Sequence, residues 1–76
     1  MALVNGGVVT AQNVRVGDFL RAWRDDQRRW AWVRVTCLAS RPGGLVHIWT
    51  EDAEGNAFDA ALPAGGCVEI AREIID

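Results

Sequence analysis

Tryptophan and arginine are the side chains of this sequence best suited to molecular recognition. They combine a large apolar surface with directional hydrogen-bond donors, and both are enriched at the energetic centres of protein interfaces. Trp30, Trp32 and Arg34 recur at every second position of the segment Trp30–Leu38. Side chains two positions apart lie on one face of a strand, so this segment predicts a strand with one Trp/Arg face and one aliphatic face.

Two further segments carry similar side chains at alternating positions. The predicted strand Phe19–Trp23 has its Arg and Trp on one face, and the predicted strand Leu45–Thr50 has its His and Trp on one face. Antiparallel pairing of both segments with Trp30–Leu38 collects these side chains on one side of a sheet. This predicted Trp/Arg face consists of Arg21, Trp23, Trp30, Trp32, Arg34, His47 and Trp49.

Few residues could support catalysis or bind a metal. His47 is the only histidine, so a nucleophilic set must combine it with Asp59 and with Cys37 or Cys67. Alternation assigns Cys37 to the aliphatic face and His47 to the opposite one, which predicts that they are out of hydrogen-bonding reach. The sequence also has no paired metal-ligand spacing and no phosphate-binding loop, so we expect no enzyme activity, no metal and no cofactor.

The two cysteines are too few for a disulfide framework in a chain of 76 residues. We expect both to be buried thiols in a reducing, cytoplasmic environment. No apolar run approaches the roughly 20 residues of a membrane-spanning helix, and the first residues lack a signal-peptide pattern. All eight basic residues are Arg. This usage is typical of a GC-rich bacterium or its phage.

Length and charge limit the possible functions. The chain is long enough for a single domain, residues 1–76, with one small core. Its formal net charge is −2. The protein therefore lacks the overall attraction to phosphate that drives non-specific nucleic-acid binding, which disfavours nucleic acid as a partner.

Five strands are predicted between turn signals. Pro42-Gly43 predicts a type II turn, and Gly55 predicts a left-handed position in a hairpin loop. Before the first of these strands, Asn5-Gly6-Gly7 predicts a turn and Val8-Val9 a short N-terminal strand. The five strands are Phe19–Trp23, Trp30–Leu38, Leu45–Thr50, Ala57–Leu62 and Cys67–Ala71.

Strands in this order, with a Pro/Gly break at Pro63–Gly66 before a short closing strand, resemble small SH3-like barrels. The resemblance covers about residues 14–71, between an N-terminal segment 1–13 and a C-terminal tail 72–76. It implies an all-β fold, a five-stranded antiparallel barrel. Because that fold hosts many unrelated functions, it implies no particular site.

A second resemblance lies in Val14-Arg15-Val16-Gly17-Asp18, which is similar to the V-x-V-G-D segment of Hint (intein and hedgehog-type) domains. Those domains self-splice through an N-terminal Cys or Ser. This N-terminus offers neither residue, and the T-x-x-H block is absent. The resemblance therefore implies a shared way of beginning a strand and transfers no catalytic residue.

Two functions are consistent with the Trp/Arg face. The first is a non-enzymatic interaction module that binds a protein partner or a second copy of itself. The alternative is single-stranded nucleic-acid binding, with bases stacked on Trp32 and Trp49. A structural role competes with both functions, because Trp23 and Trp49 could instead fill the two ends of a small barrel.

Overall fold

The chain folds into one antiparallel sheet of six strands, described by a computed structural model for the backbone of residues 2–74 and the side chains of residues 6–71. A 3₁₀ turn, Ala11–Asn13, follows the first strand. Across the sheet the strands follow the order β1-β6-β2-β3-β4-β5, so β1 and β5 are its two edges. The strands are β1 Ala2–Thr10, β2 Phe19–Arg24, β3 Arg29–Arg41, β4 Leu45–Glu51, β5 Ala57–Pro63 and β6 Cys67–Ile74.

The predicted all-β class is confirmed, whereas the closed five-stranded barrel is not. A sixth strand, β1, is present, and the sheet stays open, with β1 and β5 as its two free edges. The predicted short N-terminal strand is nine residues long and pairs with β6. Strand β6 in turn continues through Ile74, into the predicted tail, while residues 75 and 76 of that tail lie outside the described range.

The predicted turn at Asn5-Gly6-Gly7 is a β-bulge inside β1. The register with β6 shifts between Asn5 and Gly7, which pair with the consecutive residues Ala71 and Ile70. A Cβ on Gly6 would lie 3.0 Å from Cγ1 of Ile70, so a larger residue would crowd Ile70 and the close approach of the two strands favours glycine here. Gly6 and Gly7 therefore form a bulge in a continuous strand, whereas the sequence Asn5-Gly6-Gly7 predicted a turn that reverses the chain.

Strand β3 is the element that curves the sheet. Its first half, Arg29–Arg34, pairs with β2, and its second half, Arg34–Arg41, pairs with β4. The register with β4 shifts between Val35 and Cys37, which places a bulge at Thr36. A bulge increases local bending and twist, so the two halves of β3 face different parts of the molecule.

The core lies on the inner face of this curved sheet. In β4 the alternation is as predicted, because Val46, Ile48 and Thr50 are buried while the residues between them are more exposed. The 3₁₀ turn closes one end of the core with Ala11, whose backbone N–H donates to the carbonyl oxygen of Gly66. The buried apolar cluster comprises Ala11, Val14, Leu20, Val33, Val35, Val46, Ile48 and Ile70.

Two predicted turn positions have the expected backbone conformation. Gly43 has a φ of 85° in the turn between β3 and β4, and Gly55 has a φ of 85° in the loop between β4 and β5. Both values lie in the left-handed region that favours glycine. Within residues 2–74, no helix is long and apolar enough to cross a membrane.

Candidate functional site

An apolar groove opens where β5, β6 and β2 separate. Only residues 64–66 connect β5 to β6, yet the two strands pair with different neighbours and therefore diverge. Strand β2 pairs with β6 only through Phe19 and Leu20, and its second half leaves β6. The resulting groove has a volume of about 700 Å³. Its apolar lining comes from Leu20, Ala22, Val33, Ile48, Phe58, Ala60, Leu62 and Val68.

The exposed aromatic side chains of residues 6–71 all border this opening. Trp30 and Phe58, which are 55% and 40% exposed, line the main groove. Trp23, which is 49% exposed, lines an adjoining depression that shares Ala22 and Phe58 with it. We call this continuous depression the aromatic groove. Monomeric proteins rarely leave several large apolar side chains clustered in contact with water, so the groove is the candidate binding site.

Two of the predicted Trp residues form one contact unit at the groove. Trp23 and Trp30 are cross-strand partners, and their rings meet edge to face with centroids 5.6 Å apart. The guanidinium carbon of Arg21 lies 5.5 Å from the centroid of Trp30. This arrangement fixes both indoles at the rim, because an edge-to-face pair and a cation–π contact each favour one geometry.

The rim of the aromatic groove carries more exposed carboxylates than exposed cations. Nη1 of Arg21 lies 3.9 Å from Oε1 of Glu69, and both side chains are 44% exposed. Asp25 and Asp26 line the Trp23 end, and Asp59 lines the β5 wall. The carboxylate of Asp25 accepts a 2.7 Å hydrogen bond from the indole nitrogen of Trp23. The site therefore combines an apolar floor, aromatic rims and a mildly acidic border.

A buried ion pair closes the Trp23 end of the groove. Arg24 donates to the carboxylates of Asp52 and Asp26, and its guanidinium carbon lies 4.1 Å from the ring centroid of Phe58. The hydrogen bond to Asp52 raises the pKa of Arg24 above its usual value. The hydrogen bond from Arg24, helped by those from Asn56 and Glu54, holds the pKa of Asp52 well below its usual range. The ion pair holds the Arg24 guanidinium in place, and this group packs against the ring of Phe58.

The other predicted site residues lie away from the groove. Trp32 is half-buried beside the loop between β4 and β5, and Arg34 is exposed opposite Glu51. Trp49 stacks on His47 with ring centroids 4.0 Å apart. We call this pair the Trp49 stack. The residue of β3 that pairs with Trp49 is Cys37, which lies five residues beyond Trp32, about 16 Å along the strand. The predicted Trp/Arg face is therefore divided into two separate groups.

The prediction of buried thiols is wrong for both cysteines, because Cys37 and Cys67 are exposed. The bulge at Thr36 shifts the alternation, so that Val35 faces the core and Cys37 pairs with Trp49 on the outer face. Leu38 takes the inner position and packs against the core. Cys67 is exposed because it lines the aromatic groove where β6 is separate from β2.

The bulge also changes the relation between Cys37 and the histidine. Cys37 and His47 lie on the same face, contrary to the prediction from alternation, because their cross-strand partners are Trp49 and Ala39. His47 Nε2 is 2.7 Å from Oδ2 of Asp59. The side chain of Cys37 is directed elsewhere, with Sγ 4.0 Å from the carbonyl oxygen of Leu38. Between residues 6 and 71, no hydrogen bond joins a thiol to the imidazole, so the nucleophilic set is not assembled in this structure.

Part of the groove was predictable from the alternation of side chains along the strands, and part was not. Alternation identified Trp23, Trp30 and Arg21 as binding residues, but Phe58 was not among the predicted binding residues. Phe58 faces the inner side, yet the open sheet leaves it in contact with solvent. Among residues 6–71, no group of three or more His, Cys, Asp or Glu side chains is arranged to hold a metal ion. No protein-family model, curated protein or solved structure shows a significant match to this chain.

Proposed function

We propose that this protein is a non-enzymatic interaction module that binds a protein partner in the aromatic groove. The observation that carries the proposal is the clustering of three exposed aromatic side chains, Trp23, Trp30 and Phe58, around one apolar depression. Aromatic residues at the centre of such a surface supply most of the binding energy in protein interfaces. Arg21 supplies a cation at the rim, whereas Trp32, Arg34, His47 and Trp49 are assigned no direct part in this binding.

The open sheet suggests how the fold serves this role. A partner bound between β5 and the first half of β6 would occupy the opening that the sheet leaves beside its free edge, β5. The bound partner would bury the aromatic rims, which removes large apolar surfaces from water. The module would thus use an unfinished part of its own sheet as its binding surface.

Selection from a random 12-residue phage-displayed peptide library tests this function. We expect the selected peptides to bind the purified domain and to lose about tenfold or more in affinity on Trp30→Ala or Trp23→Ala. Both indoles are about half exposed, so these variants should remain folded. Trp49→Ala is the matched control, because it removes an indole from the outer face and should change affinity little.

Two results would contradict the proposal. The first is the failure of the library to yield any binder. The second is a set of binders unaffected by both groove substitutions.

Nucleic-acid binding stays the alternative prediction. Arg28 lies in the turn between β2 and β3, and Arg29 is the first residue of β3. Both are close in sequence to the Trp23–Trp30 pair, which favours contact with phosphate. Asp25 and Asp26 lie in the same turn, and they oppose that contact. Trp49, one of the predicted stacking platforms, already stacks on His47. We expect no binding of a single-stranded oligothymidylate at low salt. Binding that weakens steeply with added salt would favour this alternative instead.

A further inference from the structure

Strand β5 presents an unpaired backbone edge to the aromatic groove. The N–H of Asp52 donates to the carbonyl oxygen of Asn56, which fixes which pairs of the β4–β5 hairpin exchange hydrogen bonds. Hydrogen-bonded pairs recur at every second position of an antiparallel ladder. The β5 residues whose backbone groups bond to β4 are therefore Phe58, Ala60 and Leu62. The hydroxyl of Thr50 also donates to the carbonyl oxygen of Phe58, which agrees with a Phe58 carbonyl that points toward β4.

The alternate residues of β5 therefore direct their backbone groups away from β4. These residues are Ala57, Asp59 and Ala61, followed by Pro63, which has no N–H to leave unpaired. No strand of the described chain lies on that side of β5. Three N–H groups and three carbonyl groups are thus available to a further strand, beside the apolar lining of the groove.

The two edges of the sheet differ in how well they resist pairing. Strand β1 contains the bulge at Asn5–Gly7, a device that interrupts a regular edge. Strand β5 pairs with β4 without a register shift, and Asp59 is its only charged side chain. Edges that are regular and mainly apolar readily accept another strand. Of the two edges, β5 is therefore the one suited to binding.

Charge indicates which strand fits. The exposed rim carries Asp25, Asp26, Asp59 and Glu69 against Arg21, because the second guanidinium, that of Arg24, is buried against Asp52. Asp59, whose side chain is 56% exposed, also contacts His47. In an antiparallel strand beside β5, side chains opposite Asp59 point to the outer face, and their neighbours point into the groove. The complementary segment is apolar at one set of alternate positions and basic at the other.

We propose that the aromatic groove binds an extended, alternately apolar and basic segment of a partner protein, which pairs antiparallel with β5. This inference rests on the proposed function and adds the conformation, direction and charge of the partner. Main-chain hydrogen bonds to Ala57, Asp59 and Ala61 supply the register, while the apolar side chains fill the groove. The mode is strand addition to a sheet edge.

The test uses four capped peptides and the unmodified protein, so that folding is not in question. The reference peptide has seven residues that alternate lysine and valine, and a second peptide has glutamate in place of lysine. Two more carry N-methyl groups, either on the lysines or on the valines. In the proposed antiparallel pairing the lysine N–H groups face β5, whereas the valine N–H groups do not. Calorimetry and amide exchange by NMR report affinity and location.

We expect the reference peptide to bind and to slow amide exchange at Ala57, Asp59 and Ala61. N-methylation of the lysines should abolish binding, N-methylation of the valines should retain it, and the glutamate peptide should bind roughly threefold or more weaker. The variant Asp59→Lys should reverse the preference between lysine and glutamate. Glu54→Lys makes the same change of charge in the exposed β4–β5 loop and should leave the preference intact.

Several outcomes would overturn the inference. They are a lack of binding by the reference peptide, equal binding by both N-methylated peptides, and protection at residues 21–24 of β2 in place of β5. A free protein that is dimeric by light scattering, with β5 amides already protected, would identify a second copy as the occupant. Library peptides that need Trp30 but leave β5 exchange unchanged would sustain the proposed function while refuting strand addition.

Discussion

At the scale of single residues, Asp52 is the acceptor that organises the loop between β4 and β5. Its carboxylate accepts hydrogen bonds from Arg24, from the backbone N–H groups of Glu54 and Asn56, and from the side chain of Asn56. The side chains of Arg24 and Asp52 are only 8% and 7% exposed. The loop and the end of β2 are therefore held together by one ionised carboxylate, directly beside Phe58.

Stability should depend on the ionisation of Asp52. Its folded-state pKa is depressed below the unfolded value of about 3.9, chiefly by Arg24. The carboxylate therefore stabilises the fold above about pH 4, and this stabilisation is lost as the pH falls through 4 toward the depressed pKa. In urea titrations from pH 7 to pH 2.5, we expect Asp52→Asn to be less stable than the parent at pH 7. The difference should shrink at acid pH.

Asp25→Asn is the control for this experiment, since it alters a neighbouring exposed carboxylate that accepts one hydrogen bond from an indole. Its effect should be small at every pH. A difference between Asp52→Asn and the parent that stays constant with pH would show that ionisation of Asp52 is not the cause.

At the scale of elements, the bulge at Thr36 decides what each half of β3 does. It lets β3 pair with β2 and then with β4, and it changes the phase of alternation for the residues that follow. The inner-facing residues of β3 are therefore Val33, Val35 and then Leu38, with a step of three residues across the bulge. One consequence is that Cys37 belongs to the outer face.

Thiol chemistry can check this placement. We expect the folded protein to react with a disulfide reagent such as DTNB at both cysteines without denaturant, because both are exposed. Cys67→Ser should leave one reactive thiol, that of Cys37, with a rate close to that of the unfolded chain. Protection of this thiol until the protein unfolds would mean that β3 continues its alternation without the bulge.

At the scale of the whole molecule, stability depends on a small core that also forms the floor of the groove. Ile70 is fully buried where β6 last pairs with β2, before the two strands separate. Gly6 of β1 approaches the same side chain. Strands β1, β6 and β2 thus meet at Ile70. On one side of this residue β6 is paired with β2, and on the other side the two strands separate and the groove opens.

Truncation of this residue should remove a large share of the free energy of unfolding. Ile70→Ala is expected to cost about 2–5 kcal/mol. A domain of this size has roughly 4–11 kcal/mol in total. Val8→Ala is the matched control on β1, since Val8 is 67% exposed, and it should change stability by less than about 0.5 kcal/mol. Equal effects of the two substitutions in urea unfolding would contradict this assignment of the core.

The amino-acid sequence by itself determined the features that depend on neighbouring positions. The alternation of β4, which buries Ile48, follows from the two-residue period of a strand. The left-handed glycines at Gly43 and Gly55 follow from local turn geometry. The same local rule correctly put Trp23 and Trp30 on one face, where they are in contact.

Only the tertiary structure decided which of these faces meet. The bulge at Thr36, the separation of the Trp49 stack from Trp30, and the exposure of Phe58 all depend on strand order and curvature. Those properties arise from pairing between residues distant in sequence, which no local period encodes. Alternation therefore predicted one Trp/Arg face, whereas strand order and curvature divided it and placed only Arg21, Trp23 and Trp30 beside the groove.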